Sequence, residues 1–580
     1  MSENQRFNLL DEPWILCMDE SGVQHALSIR NIFSGQGEAH RVVGDSPTQD
    51  YAIIRLLMAI FWRAHAHELA HRLDSRRARE DFTWGEWFAS TRAHVVETGR
   101  DDVVLEYLKS VEDRFDLLSP TLPFMQVSNL RTAKGEYKPV TALVPEAAGD
   151  FFTMRTGRGR GSLSLAEAAR WLVHLQAYDF SGIKSGAVGD ARVKGGKGYP
   201  IGTGWTGRTG GTLVLGSNGV LETIVLNTVP KAVVDTKSRG AVTGDKPVWE
   251  RAADTASQRL GGDEKLGVVP AGASDLATWQ ARRVRLVVEQ DRVIGAVVCN
   301  GDRIPDAGKN VMDDPHTPYR YSPNQSKAGK PAYYARPYDP TRTVWRALDA
   351  LIAVEGDSGF DDKKNMPPKR PSNLSNLATL RMDEYVGEDV FDVVLISMEY
   401  GSNESLVAST FSATIGMPLL VLRSDDTGRL ARQAVRDAAE CTRAAATSLG
   451  WFAGQLHEAA GGEYAFGAVE TDRFYAQMEP HFLNWIVELG SNSGSKTGEA
   501  LSALQLVWQR RLRHAVLEIA KELIRGAGHK AVVGREVKTD EDSTRLVSAG
   551  SLFRQLEHRL GKDLPLTHKS HKEVHDDTTN

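Results

Sequence analysis

Between Gly428 and Leu456 apolar side chains recur at steps of three and four residues: Leu430, Ala434, Ala438, Cys441, Ala445, Leu449, Phe452 and Leu456. A strand shows its side chains to alternate faces with a period of two, so it cannot use this spacing. A helix of 3.6 residues per turn puts all of them on one stripe. Such a stripe must be covered by other elements to be stable. Three further stretches, 472–489, 499–525 and 544–560, share this texture and predict helices. Four amphipathic helices in succession close most simply as a bundle.

Upstream the texture is mixed. Phe7 to Ile15 reads as a strand entering a turn, and Thr48 to His67 as a buried helix. Ser164-Leu-Ala-Glu167 has the form of a capping box opening a helix to Tyr178, with Leu165, Ala169, Leu172 and Ala177 on its apolar face. Val284–Val288 and Ala296–Val298 read as strands, and 302–339 and 361–376 as loop-rich passages. Phe391–Met398 and Leu406–Ser409 flank a hairpin tip at Gly401-Ser-Asn-Glu-Ser405. The expected fold class is α+β. A large mixed α/β N-terminal domain spans 1–422, a C-terminal four-helix bundle spans 425–562, and a polar, disordered tail spans 563–580. That tail carries His568, His571 and His575, but without other ligands it reads as disordered and not as a metal site.

One window departs in charge from the rest. Between Phe151 and Gly211 stand Arg155, Arg158, Arg160, Arg170, Lys184, Arg192, Lys194, Lys197 and Arg208, against Glu167, Asp179 and Asp190, inside a chain of net charge -5. Glycine recurs through it, above all at Gly195, Gly196, Gly198, Gly202 and Gly204. Glycine lets another molecule approach bare backbone N–H groups, and neighbouring lysine and arginine neutralise phosphates. The pairing points to a polyanion read through the backbone, most simply nucleic acid; the plain alternative is a mobile surface connection. Gly202-Thr-Gly-Trp-Thr-Gly207 matches G-x-G-x-x-G, yet a strand follows it at Thr212–Leu215 where a dinucleotide site requires a helix. No phosphate-loop motif occurs, so no nucleotide cofactor is expected.

A length of 580 residues allows two or more domains. The most apolar helix candidate, Tyr51–Ala64, contains Arg55 and Arg63 and is too short to span a bilayer, and the N-terminus has no apolar run. The expected location is the cytoplasm. Cys17, Cys299 and Cys441 are too few and too scattered for a disulfide framework or a cysteine zinc site. Mild acidity argues for local nucleic-acid contact and against a general coating role. A nuclease would need clustered carboxylates for catalytic metals; Asp313, Asp314 and His316 come closest, but within a proline-rich loop. No catalytic residue and no metal is assigned.

Phe7-Asn-Leu-Leu-Asp-Glu-Pro-Trp-Ile15 resembles the opening of the CasA family, the large subunit of the type I-E CRISPR surveillance complex (Cascade). Further matches follow in order: Pro123-Phe-Met-Gln-Val127, the glycine-rich region ending Gly210-Gly211-Thr212, Asp314-Pro-His-Thr-Pro318, and Arg473-Phe-Tyr-Ala-Gln-Met-Glu479. Together they cover nearly the whole chain. The resemblance implies a non-enzymatic subunit that reads the PAM of double-stranded target DNA from the minor groove, helps open the duplex, and recruits the helicase-nuclease. Partners so implied are the guide-RNA ribonucleoprotein with CasB-, CasC-, CasD- and CasE-type subunits. It places a glycine loop within Lys194, Gly195, Gly196, Lys197, Gly198, Gly202 and Gly204, and a basic minor-groove residue at Arg303 or Lys309. It places a strand-separating wedge at Asn403, Glu404 and Ser405, where Glu404 stands in place of the family's glutamine. Phe151, Phe152, Arg155, Arg158 and Arg160 resemble the loop that touches the guide RNA and its neighbouring subunit. A scaffold subunit without direct DNA readout is the competing class.

Overall fold

The computed structural model describes residues 6–145, 161–207, 209–235, 237–261, 267–305, 314–327, 330–338, 343–360, 365–490, 498–540 and 543–567. Two compact units emerge, one of Met1–Tyr338 with Phe360–Ile415 and one of Asp339–Gly359 with Gly416–Asn580.

The first unit is organised on the helix Pro47–Arg72. Ser46 caps its start by accepting from the Gln49 N–H, and Pro47 sits in the first turn, where a missing N–H costs nothing. From Tyr51 to Ala66 it is buried on every side, including Arg55, Arg63 and His65. A helix apolar all round belongs inside a large core. The helix Leu165–Tyr178 lies beside it, begins where expected with Ser164 accepting from the Glu167 N–H, and is likewise almost wholly buried.

Two sheets complete this unit's frame. Arg282–Glu289 and Arg292–Asn300 form an antiparallel hairpin with a bulge between Val293 and Gly295, flanked by short strands Lys138–Pro139 and Leu163–Ser164. The long strands Val390–Tyr400 and Val407–Pro418 form a second hairpin, and Gly211–Val214 pairs with its first strand. The opening segment is less regular than expected: only Asn8 makes an isolated bridge, to Asp116, and the strand starts at Ile15. Glu12 N–H folds back onto the Asn8 carbonyl, and the Trp14 indole donates to Leu9, so turns occupy the backbone groups a strand would need.

In the second unit the long helices are Asp426–Ala459, Ala468–Gly490, Gly498–Gly526 and Ala549–Asp563, and they pack together as a bundle, as the apolar periodicity requires. Leu449, Phe452, Phe482 and Trp508 fill its core. Leu430, expected on the covered stripe, is 57% exposed; Ala431, Ala434 and Val435 face inward at that end instead. The last helix starts at Ala549 and not at Thr544. Ser543–Val547, with β-branched Thr544 and Val547, pairs with Arg535–Asp540, and Ser548 then caps the helix. The helix Thr343–Ile352 belongs to this unit, with the Trp345 ring stacked 4.3 Å from Phe482. Arg432, buried in the first bundle helix, donates to both carboxylate oxygens of Asp357.

Candidate nucleic-acid interface

The last carbonyls of any helix lack partners within it. At the end of Leu165–Tyr178 the glycine-rich chain supplies them. Thr206 donates to the Ala177 carbonyl through its N–H and its hydroxyl, both at 2.9 Å, and the Gly204 N–H donates to the Asp179 carbonyl at 2.8 Å. The backbones come so close that a Cβ on Gly204 would overlap Ala177 and Tyr178. Trp205 tucks beneath the Arg55 guanidinium, 4.9 Å from its ring. Arg55 in turn pairs with Asp314 at 2.7 Å, both almost fully buried. His316 stacks on Trp62, and burial pushes its imidazole down to about 3. The Asp314–Pro318 turn is thus part of the core that seats the glycine-rich chain; Asp313 lies outside the described residues.

Arg282 joins this helix end to the 282–300 hairpin. It is 1% exposed, pairs with Asp179, and donates to the carbonyls of Phe180 at 3.0 Å and Gly202 at 2.8 Å. Lys184 Nζ also reaches Asp179, at 2.7 Å, and lies over the Phe180 ring. Burial outweighs the attraction of Asp179 and brings the Lys184 ammonium down to about 8. Directly across from Arg282, Asn300 donates its amide N–H to the Tyr199 carbonyl. A Cβ on Gly198 would sit 3.1 Å from that same amide.

Between these anchors the chain makes a tight turn. Lys194 and Lys197 exchange both backbone hydrogen bonds at 3.1 Å, leaving Gly195 and Gly196 as the two-residue loop. Their φ values of 57 and 73 suit a type I′ turn, which glycine accepts without strain. A Cβ on Gly195, Gly196 or Gly202 would meet nothing within 4 Å, so these three are open where Gly198 and Gly204 are hemmed in. Lys194 and Lys197 are exposed and make no ion pair with a described residue. Much of the window's other positive charge is neutralised inside the protein. Lys184 is held by Asp179, Arg192 by Asp190, and Arg170 by Asp45 at 3.6 Å.

Gln258 ties this turn to Arg303. Its Oε1 accepts from Arg192 at 3.0 Å and from the Arg303 backbone N–H at 3.3 Å. Arg303 itself is exposed, three residues beyond Asn300 on the same strand exit. Lys309 lies outside the described residues, as do Phe151, Phe152, Arg155, Arg158 and Arg160.

The turn end of the 390–418 hairpin is anchored in the same place. Tyr400 donates its hydroxyl to the Tyr178 carbonyl at 2.7 Å, and a Cβ on Gly207 would overlap that hydroxyl. Burial, with Tyr178 and Asp179 nearby, raises the Tyr400 hydroxyl well above its ordinary value. At the tip, Gly401 N–H bonds the Leu406 carbonyl at 3.0 Å and Glu404 N–H the Gly401 carbonyl at 2.9 Å. Asn403 and Glu404 both lie in the left-handed region, at φ 55 and 53, which asparagine tolerates far better than glutamate. Asn403, Ser405 and Leu406 are exposed there.

Gln258, Asn300, Arg282, Asp179 and Tyr400 carry this arrangement, and no motif announced them. The one readable hint was a pair of consecutive arginines, Arg282 and Arg283, just ahead of the strand read at Val284–Val288. Among the described residues no group of three or more His, Cys, Asp or Glu side chains is placed to hold a metal ion. Among them, too, no helix is long and apolar enough to cross a membrane.

The family model described as CRISPR-associated protein Cse1 matches residues 8–519. The CRISPR-associated protein CasA/Cse1 of Thermus thermophilus is 30% identical over 303 residues, 50% of this chain and 51% of that relative. The match therefore spans about half the length of that curated relative. The crystal structure of Thermobifida fusca Cse1 is similar at a TM-score of 0.77 and 35% identity, covering 97% of this chain and 98% of that one. Cse1 from Acidimicrobium ferrooxidans shares the fold at a TM-score of 0.71 and 22% identity, covering 97% and 100% of the two chains.

Proposed function

Because the chain belongs to the CRISPR-associated Cse1 (CasA) family, the large subunits of the type I-E surveillance complex, we propose that it reads the PAM of double-stranded target DNA. Sequence-specific targeting falls to the guide RNA, while the protein reads a short duplex element and opens the strands beside it. Chief support comes from one convergence: the open Lys194–Lys197 turn, Arg303 and the turn end of the 390–418 hairpin meet at a single end of the 282–300 hairpin. Bare glycine backbone at Gly195, Gly196 and Gly202 can enter a minor groove that side chains would block, and Arg303 follows it; Lys309 is the alternative cation. Gly198 and Gly204 serve this reading by letting the chain pack closely behind the turn. Asn403, Glu404 and Ser405 form the wedge, with Leu406 as an apolar flank. Phe151, Phe152, Arg155, Arg158 and Arg160 hold the guide RNA by stacking and charge. Partners on this reading are the guide ribonucleoprotein with its CasB- to CasE-type subunits, and the helicase-nuclease that follows strand opening.

Gly195→Asn tests the groove contact without breaking the turn, because asparagine is favoured at that position of a type I′ loop. The variant should assemble normally and melt like the wild type, yet lose most of its preference for PAM-bearing over PAM-less duplex. Gly204→Ala should instead lower stability by about 1–3 kcal/mol, since its methyl group has no room. Unchanged PAM preference in Gly195→Asn would remove the turn from the reading site.

A further inference from the structure

The segment 131–139 lies outside the interface described above yet is joined to it. Thr132 bridges Ala187, and the Val188 N–H donates to the Arg131 carbonyl at 2.9 Å. The residue before that bridge, Gly186, donates to the Gly196 carbonyl at 2.9 Å, on the loop of the Lys194–Lys197 turn. The two segments therefore sit about two strand spacings apart, roughly 10 Å. Arg131 and every residue from Ala133 to Pro139 are exposed. Thr132–Gly135 closes a turn, its Gly135 at φ 72 with open space around it, so Lys134 stands at the tip of that turn.

Arg131, Lys134 and Lys138 make no ion pair with a described residue; Glu136 is the one acid among them. Unpaired cations gathered on one edge of a chain of net charge -5 form a local field for a polyanion. Duplex DNA offers about six backbone charges over 10 Å of its axis, enough for these three residues and the lysine turn together.

We propose that Arg131, Lys134 and Lys138 hold the phosphate backbone of the duplex flanking the PAM, extending the contact made by the Lys194–Lys197 turn. The proposal rests on the DNA-reading role given to that turn. Phosphate contacts fix position and carry no sequence information, so this edge contributes affinity and register but not PAM choice.

The test uses the assembled complex with the triple variant R131A/K134A/K138A and fluorescent PAM-bearing and PAM-less duplexes. Affinity for both should fall by the same factor, leaving PAM preference intact. The loss of affinity between about 50 and 200 mM salt should shrink by roughly 3–4-fold for each contact removed. Conservative R131K/K138R should retain the wild-type salt slope. Wild-type complex on a duplex trimmed just beyond the PAM should behave like the triple variant. An unchanged salt slope overturns the proposal, and so does loosened retention on the guide ribonucleoprotein with DNA binding intact, which would make the edge an RNA surface. Failure of the reading turn itself shows separately, as unchanged PAM preference in Gly195→Asn.

Discussion

Individual residues in this protein are set less by their type than by what reaches them. His174 and His316 illustrate this. Each is buried, one beside the Thr48 hydroxyl with Asp179 nearby, the other beside the Arg55–Asp314 pair, and burial brings both imidazoles down from 6.5 to about 3. The folded chain keeps them neutral, whereas the unfolded chain takes up protons as pH falls below about 6.5. The unfolded state then binds more protons, so stability is full above that pH and is lost as pH falls toward 3. Each histidine should account for about 1.4 kcal/mol per pH unit in that window. Denaturant unfolding at stepped pH should show His316→Gln flattening the acid limb by that amount. An acid limb identical to the wild type would mean that His316 titrates normally in the fold.

At the scale of elements, the 390–418 hairpin is anchored at its turn end. Tyr400, the residue just before the turn, pins it to the end of the Leu165–Tyr178 helix, while the turn itself exposes Asn403, Ser405 and Leu406. Apolar and steric wedges open duplexes by unstacking a base step, at a cost of about a few kcal/mol. If the tip separates strands, its action is mainly steric. Glu404→Gln should then leave the rate of R-loop formation near wild type or raise it slightly, since a charge facing phosphates is removed. Leu406→Ala combined with Glu404→Gly should slow opening of intact duplex about ten-fold or more, one to two kcal/mol on the barrier. The same variant should bind pre-opened, PAM-bearing duplex as the wild type does. Equal losses on both substrates would assign the hairpin some other task.

For the whole molecule, a formal charge of -5 means that attraction to DNA is confined to a few edges. The chain by itself should bind duplex weakly and with strong salt dependence, because affinity without the guide comes from those edges alone. Titration of labelled duplex across a salt series measures this, and tight, salt-insensitive binding by the free chain would contradict it. The fold divides the work in a way the chain order conceals. The bundle-containing unit takes in Asp339–Gly359 from the middle of the chain, whose Trp345 stacks in the bundle core and whose Asp357 neutralises buried Arg432.

What neighbouring residues control was legible in the sequence. The three- and four-residue periodicity of 428–456, the Ser164 cap, the hairpin around 401–405 and the α+β class all follow from preferences that act within a turn or two of chain. Burial and charge balance were not legible, because they depend on segments that arrive from far away. Asp179 meets Arg282 across 103 residues and leaves Lys184 no free charge to offer a ligand. Asn300 reaches back 101 residues to hold Tyr199, and with it the difference between Gly198, which packs, and Gly195, which is open. In the sequence those glycines look alike. Only the tertiary structure distinguishes them, because a missing Cβ has meaning only relative to what lies within reach of it.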